Sequence, residues 1–263
     1  MTTWDPRQYL KFADYRLRPA LDLLAQISLD SPRNVYDLGC GPGNITRLLA
    51  ERWPGAAVTG IDSSSEMLVK ASEEAPTVSL LRADIAQWSA PKPADLLFSN
   101  ATMHWLDDHG RLLPRLLAQL APGGVLAVQM PHNRDAPSYL LIEAAASDGP
   151  WGPRLSQVRS VLRSVECAEA YYRILAPLAR RVDIWETEYL HVLEGGNPVL
   201  EWFKGTALRV RLRMRPGQSR CTQPGDVSHQ DWRFPAVSRV RQRGLRHSIW
   251  LNLIAEAHSQ TDS

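Results

Sequence analysis

The residues whose types and spacing most clearly carry chemistry lie in the run VYDLGCGPGN, Val35 to Asn44. Glycine permits the positive φ of a tight turn and leaves no Cβ against a ligand, while the free N–H groups of a following helix face the same space. Gly39, Gly41 and Gly43 form G-x-G-x-G, and Asn44 stands where the last glycine of the dinucleotide fingerprint G-x-G-x-x-G would fall. Asp37 precedes this loop, and Asp62, followed by Ser63, closes the strand-like run VTGID. A carboxylate there can accept hydrogen bonds from both hydroxyls of a ribose. In RADIAQW, Asp84 can accept from an adenine amino group, with Ile85 and Trp88 as an apolar wall. Asp84 is also a candidate helix N-cap, and the two readings stand side by side.

These residues need a scaffold that brings three loops to one edge. Strand-like runs at 34–38, 57–61, 79–82, 95–99 and 125–129 alternate with helical stretches at 45–52, 65–71 and 112–120. Such alternation specifies an α/β fold, a Rossmann-like, doubly wound, mostly parallel sheet with ligands beyond the carboxyl ends of its strands. N-terminal helices are expected over about 5–29, with Pro19 separating two of them. The sheet core spans about 34–130. A helical cap follows over about 131–180, with candidates at 139–146, 157–163 and 168–175, and a sixth strand over about 181–192.

With 263 residues, 44% hydrophobic and 22% charged, the chain fits one soluble α/β domain of ordinary size or one domain with an appendage. No apolar run approaches the ~20 residues of a membrane span, and MTTWDPRQYLKF lacks signal-peptide order, so a cytoplasmic protein without membrane contact is expected. Cys40, Cys167 and Cys221 are odd in number, far apart and in no metal-ligand spacing, so neither a disulfide framework nor a zinc site is suggested. Charge is uneven: residues 1–204 carry 20 basic and 24 acidic side chains, and 205–263 carry 10 and 4.

The chain resembles the class I S-adenosylmethionine-dependent methyltransferases and, among them, the trans-aconitate 2-methyltransferase family. The likeness is carried by WDPRQYLKF, RLRPALDLLA, DLGCGPGNITRLL, RWPGAAVTGIDSSSEML, ADIAQW, FSNATMHWL, LAPGGVLAVQMP and VDIWETEYLH. It covers about Trp4 to Arg209, so 1–209 is read as the methyltransferase domain. The resemblance implies S-adenosylmethionine as cofactor, contacted by Gly39, Gly41, Asp62, Asp84 and Ile85. Asn100 would lie beneath its methionine part, and Asp37 would face its positive side. Gly43 and Ser63 complete the two loops.

It further implies a small-molecule substrate, an unsaturated tricarboxylate, and a monomethyl ester as product. A carboxylate with a reference pKa near ~4 is already ionised at neutral pH, so no catalytic acid or base is expected. The protein has to align the reacting atoms and remove water. Three negative charges call for cationic and hydrogen-bonding partners. The candidates are Arg16, Arg18, His104, Trp105, Tyr171, Tyr172 and Arg209. Each has a plainer role: Trp105 and Trp4 as lid packing, Tyr171 and Tyr172 as helix-face core, Arg18 as a solvated charge. Trp53 and Trp88 are assigned to packing.

Three other readings remain open: another carboxylate acceptor such as a carrier-bound malonyl group, a cofactor-binding protein with weak or no turnover, and a nucleic-acid methyltransferase. The basic tail favours the last; the net acidic first part and the loop NATMHW, which lacks a proline-aromatic base-stacking motif, oppose it. No nucleic-acid partner is therefore expected; the oligomeric state is open, with a monomer plausible. His132 follows QMP where relatives usually show an acid, and Val210 follows "LR" where they show proline. Residues 210–263 read as a divergent, basic, poorly ordered tail, as a shift of reading frame near Arg209 would produce. Val210 to Arg246 is expected to be disordered, the sixth strand to lack its regular partner, and methyl transfer to be weak or absent. His247 to Ala257 alone is expected to form a helix or a substitute strand.

Overall fold

A computed structural model describes residues 13–133, 165–194 and 243–259, with a few isolated positions among the rest. In chain order the elements are α1 (Ala13–Ala25), β1 (Asn34–Leu38), α2 (Asn44–Arg52), β2 (Ala57–Asp62), α3 (Ser65–Glu74), β3 (Ser79–Arg82), β4 (Ala94–Asn100), a 3₁₀ turn (Met103–Trp105), α4 (His109–Leu117), β5 (Leu120–Pro131), α5 (Ala168–Leu175), β6 (Arg181–Glu194) and β7 (Arg243–Glu256). The seven strands form one sheet in the order β3-β2-β1-β4-β5-β7-β6. Strands β1 to β5 pair in parallel, and β7 is antiparallel to β5. The order reverses at β1 and β4, where an open parallel sheet leaves a crevice.

The core lies on both faces of the sheet. Leu38, Ile61, Leu97, Leu126 and Leu253 belong to one cluster with α4 and α5; Val35, Val58, Leu96, Phe98 and Ile254 belong to the other with α1 and α2. Ser64 caps α3 by accepting the Met67 N–H.

Three expectations are corrected. Pro19 lies inside the single helix α1 instead of separating two. An interior proline removes a helix hydrogen bond. Here Ala20, Leu23 and Leu24 bury the helix against the sheet, and the Pro19 carbonyl accepts from Gln129 Nε2 at 2.7 Å. Helix α4 starts at His109 and ends at Leu117, so Leu120 opens β5 instead of closing the helix. The sixth strand does have its regular partner: β7 lies between β5 and β6, drawn from the expected tail. It buries Leu251, Leu253 and Ala255 on one side and Ile254 with the hydrogen-bonded Asn252 on the other, so both faces are covered as in a strand interior to a sheet. Trp4, Arg209, 210–242 and the expected helices at 139–146 and 157–163 lie outside the described residues.

The chain divides into two compact units. One, formed by Arg16–Asn133, Val161–Glu188 and Ile249–Ser263, contains the glycine loop and the strand ends described next. The other comprises Met1–Tyr15, Arg134–Ser160 and Tyr189–Ser248; within it the buried His191 has Nε2 2.7 Å from Ser248 Oγ. Among the described residues no helix is long and apolar enough to cross a membrane.

Candidate cofactor and active site

The loop between β1 and α2 is fixed by its own backbone. Gly39 and Cys40 donate their N–H groups to the Ile61 carbonyl at 2.8 and 2.9 Å, turning the chain back over the end of β2. Gly39 has φ +81°, and a Cβ there would fall 2.1 Å from Thr102 Oγ1, so the β4 loop packs directly on the glycine. Gly43 precedes α2 with φ +90°, and a Cβ would meet Ala71 Cα at 2.8 Å. At Gly41 the same side is open, with nothing within 4 Å.

The two acids do different work. Asp62 accepts from Gly41 N–H at 2.9 Å through Oδ2 and from Ser64 N–H at 2.8 Å through Oδ1, so both loops hold its plane and each oxygen keeps a further lone pair. Ser63 contributes its carbonyl, which accepts from Arg82 Nε at 3.3 Å. Asp37 is buried at the end of β1. Burial pushes its carboxyl up to about 7 and the nearby Asp62 adds to that, against the Thr46 hydroxyl, which donates to it at 2.7 Å and favours the ionised form. A cation placed beside it would remove that penalty. The Cys40 thiol is pushed well above its ordinary range by burial and then by the two acids, so it is held as an inert thiol.

After β3, Asp84 Oδ1 accepts from Ala86 N–H at 2.9 Å within a turn that opens no helix, so the helix N-cap reading is corrected, and the side chain stays exposed. Ile85 and Trp88 are buried, and Trp88 meets Tyr36 edge-on with centroids 5.2 Å apart. Arg115 holds this segment, donating to the carbonyls of Ile85 and Trp88. Asn100 ends β4, and its Oδ1 is buried with no hydrogen-bond partner. Buried polar atoms are ordinarily paired, and the exceptions ask for an explanation. An acceptor waiting for an N–H or N⁺–H donor at a parallel strand's carboxyl end is the chemistry of a ligand site.

The expected substrate side is only partly assembled. His104 and Trp105 occupy the 3₁₀ turn with ring centroids 4.4 Å apart, and the Trp105 ring is exposed. Enclosure pushes the His104 imidazole down to about 3, with the neighbouring His109 adding to it. It is neutral across the physiological range. Tyr172 is exposed on α5. Tyr171 is corrected: it is fully buried, its hydroxyl is 2.7 Å from His109 Nδ1 and accepts from the Glu166 N–H, so it ties α5 to α4 and presents nothing to a ligand. His109 Nε2 lies 2.9 Å from the Met103 carbonyl, which can only accept, so Nε2 carries the hydrogen and Nδ1 receives the tyrosine's. Arg18 is a solvated charge that pairs with Asp22 at 3.9 Å, and Arg16 lies on α1. Trp53 packs in the core as expected and donates to the Leu29 carbonyl.

Sequence reasoning missed Thr46, Thr102 and Arg115. Each acts through a partner 9 to 63 positions away, for which the local sequence carries no signal.

A family model described as a methyltransferase domain matches residues 35–124, the stretch holding the three loops. Solved structures share the fold. Haemonchus contortus phosphoethanolamine N-methyltransferase 2, in complex with S-adenosyl-L-methionine, superposes with TM-score 0.53 at 17% identity, over 92% of this chain and 53% of that one. A Mesorhizobium loti S-adenosylmethionine-dependent methyltransferase superposes with TM-score 0.50 at 21% identity, over 90% and 96%. Among curated proteins, the trans-aconitate 2-methyltransferase of Azoarcus sp. (strain BH72) is 51% identical over 212 residues, 81% of this chain and 83% of the relative. That of Pseudomonas aeruginosa (strain UCBPP-PA14) is 50% identical over 214 residues, 80% and 78%. With half of its residues shared over four-fifths of its length, and with the sheet order and glycine loop of a class I methyltransferase, the chain belongs to the trans-aconitate 2-methyltransferase family.

Proposed function

We propose that this chain binds S-adenosylmethionine over the glycine loop and esterifies one carboxylate of trans-aconitate, giving a monomethyl ester, as a cytoplasmic small-molecule enzyme. For the acceptor, the carrying observation is the identity of about half over four-fifths of the chain with trans-aconitate 2-methyltransferases. The residues present suit the cofactor. Asp62 retains lone pairs for a ribose, Asp84 and Ile85 suit an adenine, and Gly41 leaves its side of the loop open while Gly39 and Gly43 let the neighbouring loops pack close. Asn100 Oδ1 and the Asp37 carboxyl suit a cationic amino or sulfonium group.

When bound, the cofactor supplies a methyl group made electrophilic by the sulfonium. The protein's contribution is placement. The acceptor is ionised before it binds, so no side chain has to take a proton from it. His104, held neutral by its enclosure, can offer one hydrogen bond and is no base whose charge changes near neutrality. Calorimetric titration with S-adenosylmethionine and competition by NADH tests the cofactor assignment. Binding without displacement by micromolar NADH is expected; displacement would place the glycine loop with the dinucleotide folds.

A further inference from the structure

We propose that in this chain His132, standing where relatives usually show an acid and oriented by Glu186, binds a carboxylate of the acceptor; this rests on the methyl-transfer reading above. His132 follows directly on the last residue of β5. In the parallel pair β4–β5, Asn100 stands opposite Gln129, and Ala101 N–H donates to the Gln129 carbonyl at 3.0 Å. His132 is therefore three residues farther out on the carboxyl rim that carries Asn100, about 10 Å along the strand. That is the rim on which sheets of this kind bind their ligands.

Both the backbone and the ring of His132 are fixed. Its N–H donates to the Ile249 carbonyl at 2.8 Å, and the next side chain, Asn133, accepts the Ile249 N–H through Oδ1 at 2.6 Å. The ring Nδ1 lies 2.5 Å from Glu186 Oε1 on β6. A carboxylate only accepts, so Nδ1 carries the hydrogen and Nε2, on the other side of the ring, remains as the polar atom to be used. The His132 side chain is 23% exposed and that of Glu186 46%, so the pair stands at the surface of the rim. A carboxylate behind an imidazole holds the ring in one orientation, and in the doubly protonated ring Nε2–H would donate to an arriving anion. The protonated pair is net neutral and offers one directed bond in place of a bare charge. A donor oriented before the ligand arrives also loses little freedom on binding.

A tie between β5 and β6 with no ligand role would give the same contacts, and kinetics separates the two. Full-length protein, unmodified and carrying His132→Ala, His132→Gln or Glu186→Gln, is titrated with trans-aconitate by calorimetry in the presence of S-adenosylhomocysteine, and assayed for turnover. His132→Ala is expected to raise both Kd and KM for trans-aconitate roughly tenfold or more, the usual loss of a charge-assisted hydrogen bond. Its kcat is expected to stay within about twofold, because the bond is made in ground state and transition state alike. His132→Gln, which keeps a donor, recovers part of the loss, and Glu186→Gln shows a smaller rise. Cofactor affinity is the same in all four proteins. Unchanged Kd and KM in His132→Ala overturns the assignment, as does a fall in kcat and cofactor affinity at unchanged KM. Should the unmodified chain bind trans-aconitate without methylating it, the methyl-transfer reading fails and His132 is judged on Kd alone. Absence of trans-aconitate binding overturns the proposal.

Discussion

Asp62 and Asp37 stand 25 positions apart in sequence, and their surroundings give one carboxylate to recognition and the other to charge. Asp62 is kept planar by two backbone N–H groups and is the expected anchor for the ribose. Asp62→Ala should weaken S-adenosylmethionine binding by about 1 to 3 kcal/mol, measured by calorimetry; unchanged affinity would remove Asp62 from the site. Asp37 holds its proton more tightly in the folded chain than in the unfolded one, because its carboxyl is pushed up from 3.8 to about 7. Between those two values the folded state binds the extra proton, so this group makes the ligand-free chain less stable as pH rises through the window and adds nothing further above it. Denaturant unfolding at several pH values should show a steeper decline for the unmodified protein than for Asp37→Asn; equal slopes would contradict the burial argument. His104, pushed down to about 3, is neutral through most of that window. Its replacement by Gln should leave the shape of the kcat against pH profile unaltered, and the loss of an inflection between about pH 6 and 8 would mark it as a base after all. These acids and glycines were legible because their chemistry is local to a loop. The Tyr171 assignment failed because an aromatic on a helix looks the same whether it faces a ligand or a core, and here the His109 contact takes its hydroxyl inward.

At the scale of elements, strands with one regular pattern were read nearly to the residue, as β1 and β3 show. The failures came where tertiary burial overrides a local rule. Pro19 stays within α1 because apolar side chains around it are buried, and Leu120 joins β5 because Ala94 pairs with it. The run 247–257 was left open between helix and strand, since apolar residues on every side fit either; register against β5 from Val125 to Pro131 decides for strand. Leu253 is fully buried within it, opposite Val128. Leu253→Ala should therefore cost roughly 2 to 5 kcal/mol of stability in denaturant unfolding, as for a core leucine. A change near zero would mean that β7 is not part of the folded sheet in solution.

For the molecule as a whole, an unusual C-terminal composition coexists with a complete seven-stranded sheet, and the basic excess of residues 205–263 did not prevent the chain from supplying the antiparallel strand. Sheet order, the open glycine loop and the unpartnered Asn100 acceptor converge on one rim, and the chain belongs to a family named for methyl transfer to trans-aconitate. The direct measurement is mass spectrometry of trans-aconitate incubated with the full chain and methyl-labelled S-adenosylmethionine. The account predicts that the acid gains one labelled methyl as an ester, with S-adenosylhomocysteine formed in equal amount. Trans-aconitate recovered unlabelled, from protein that binds the cofactor, would contradict it.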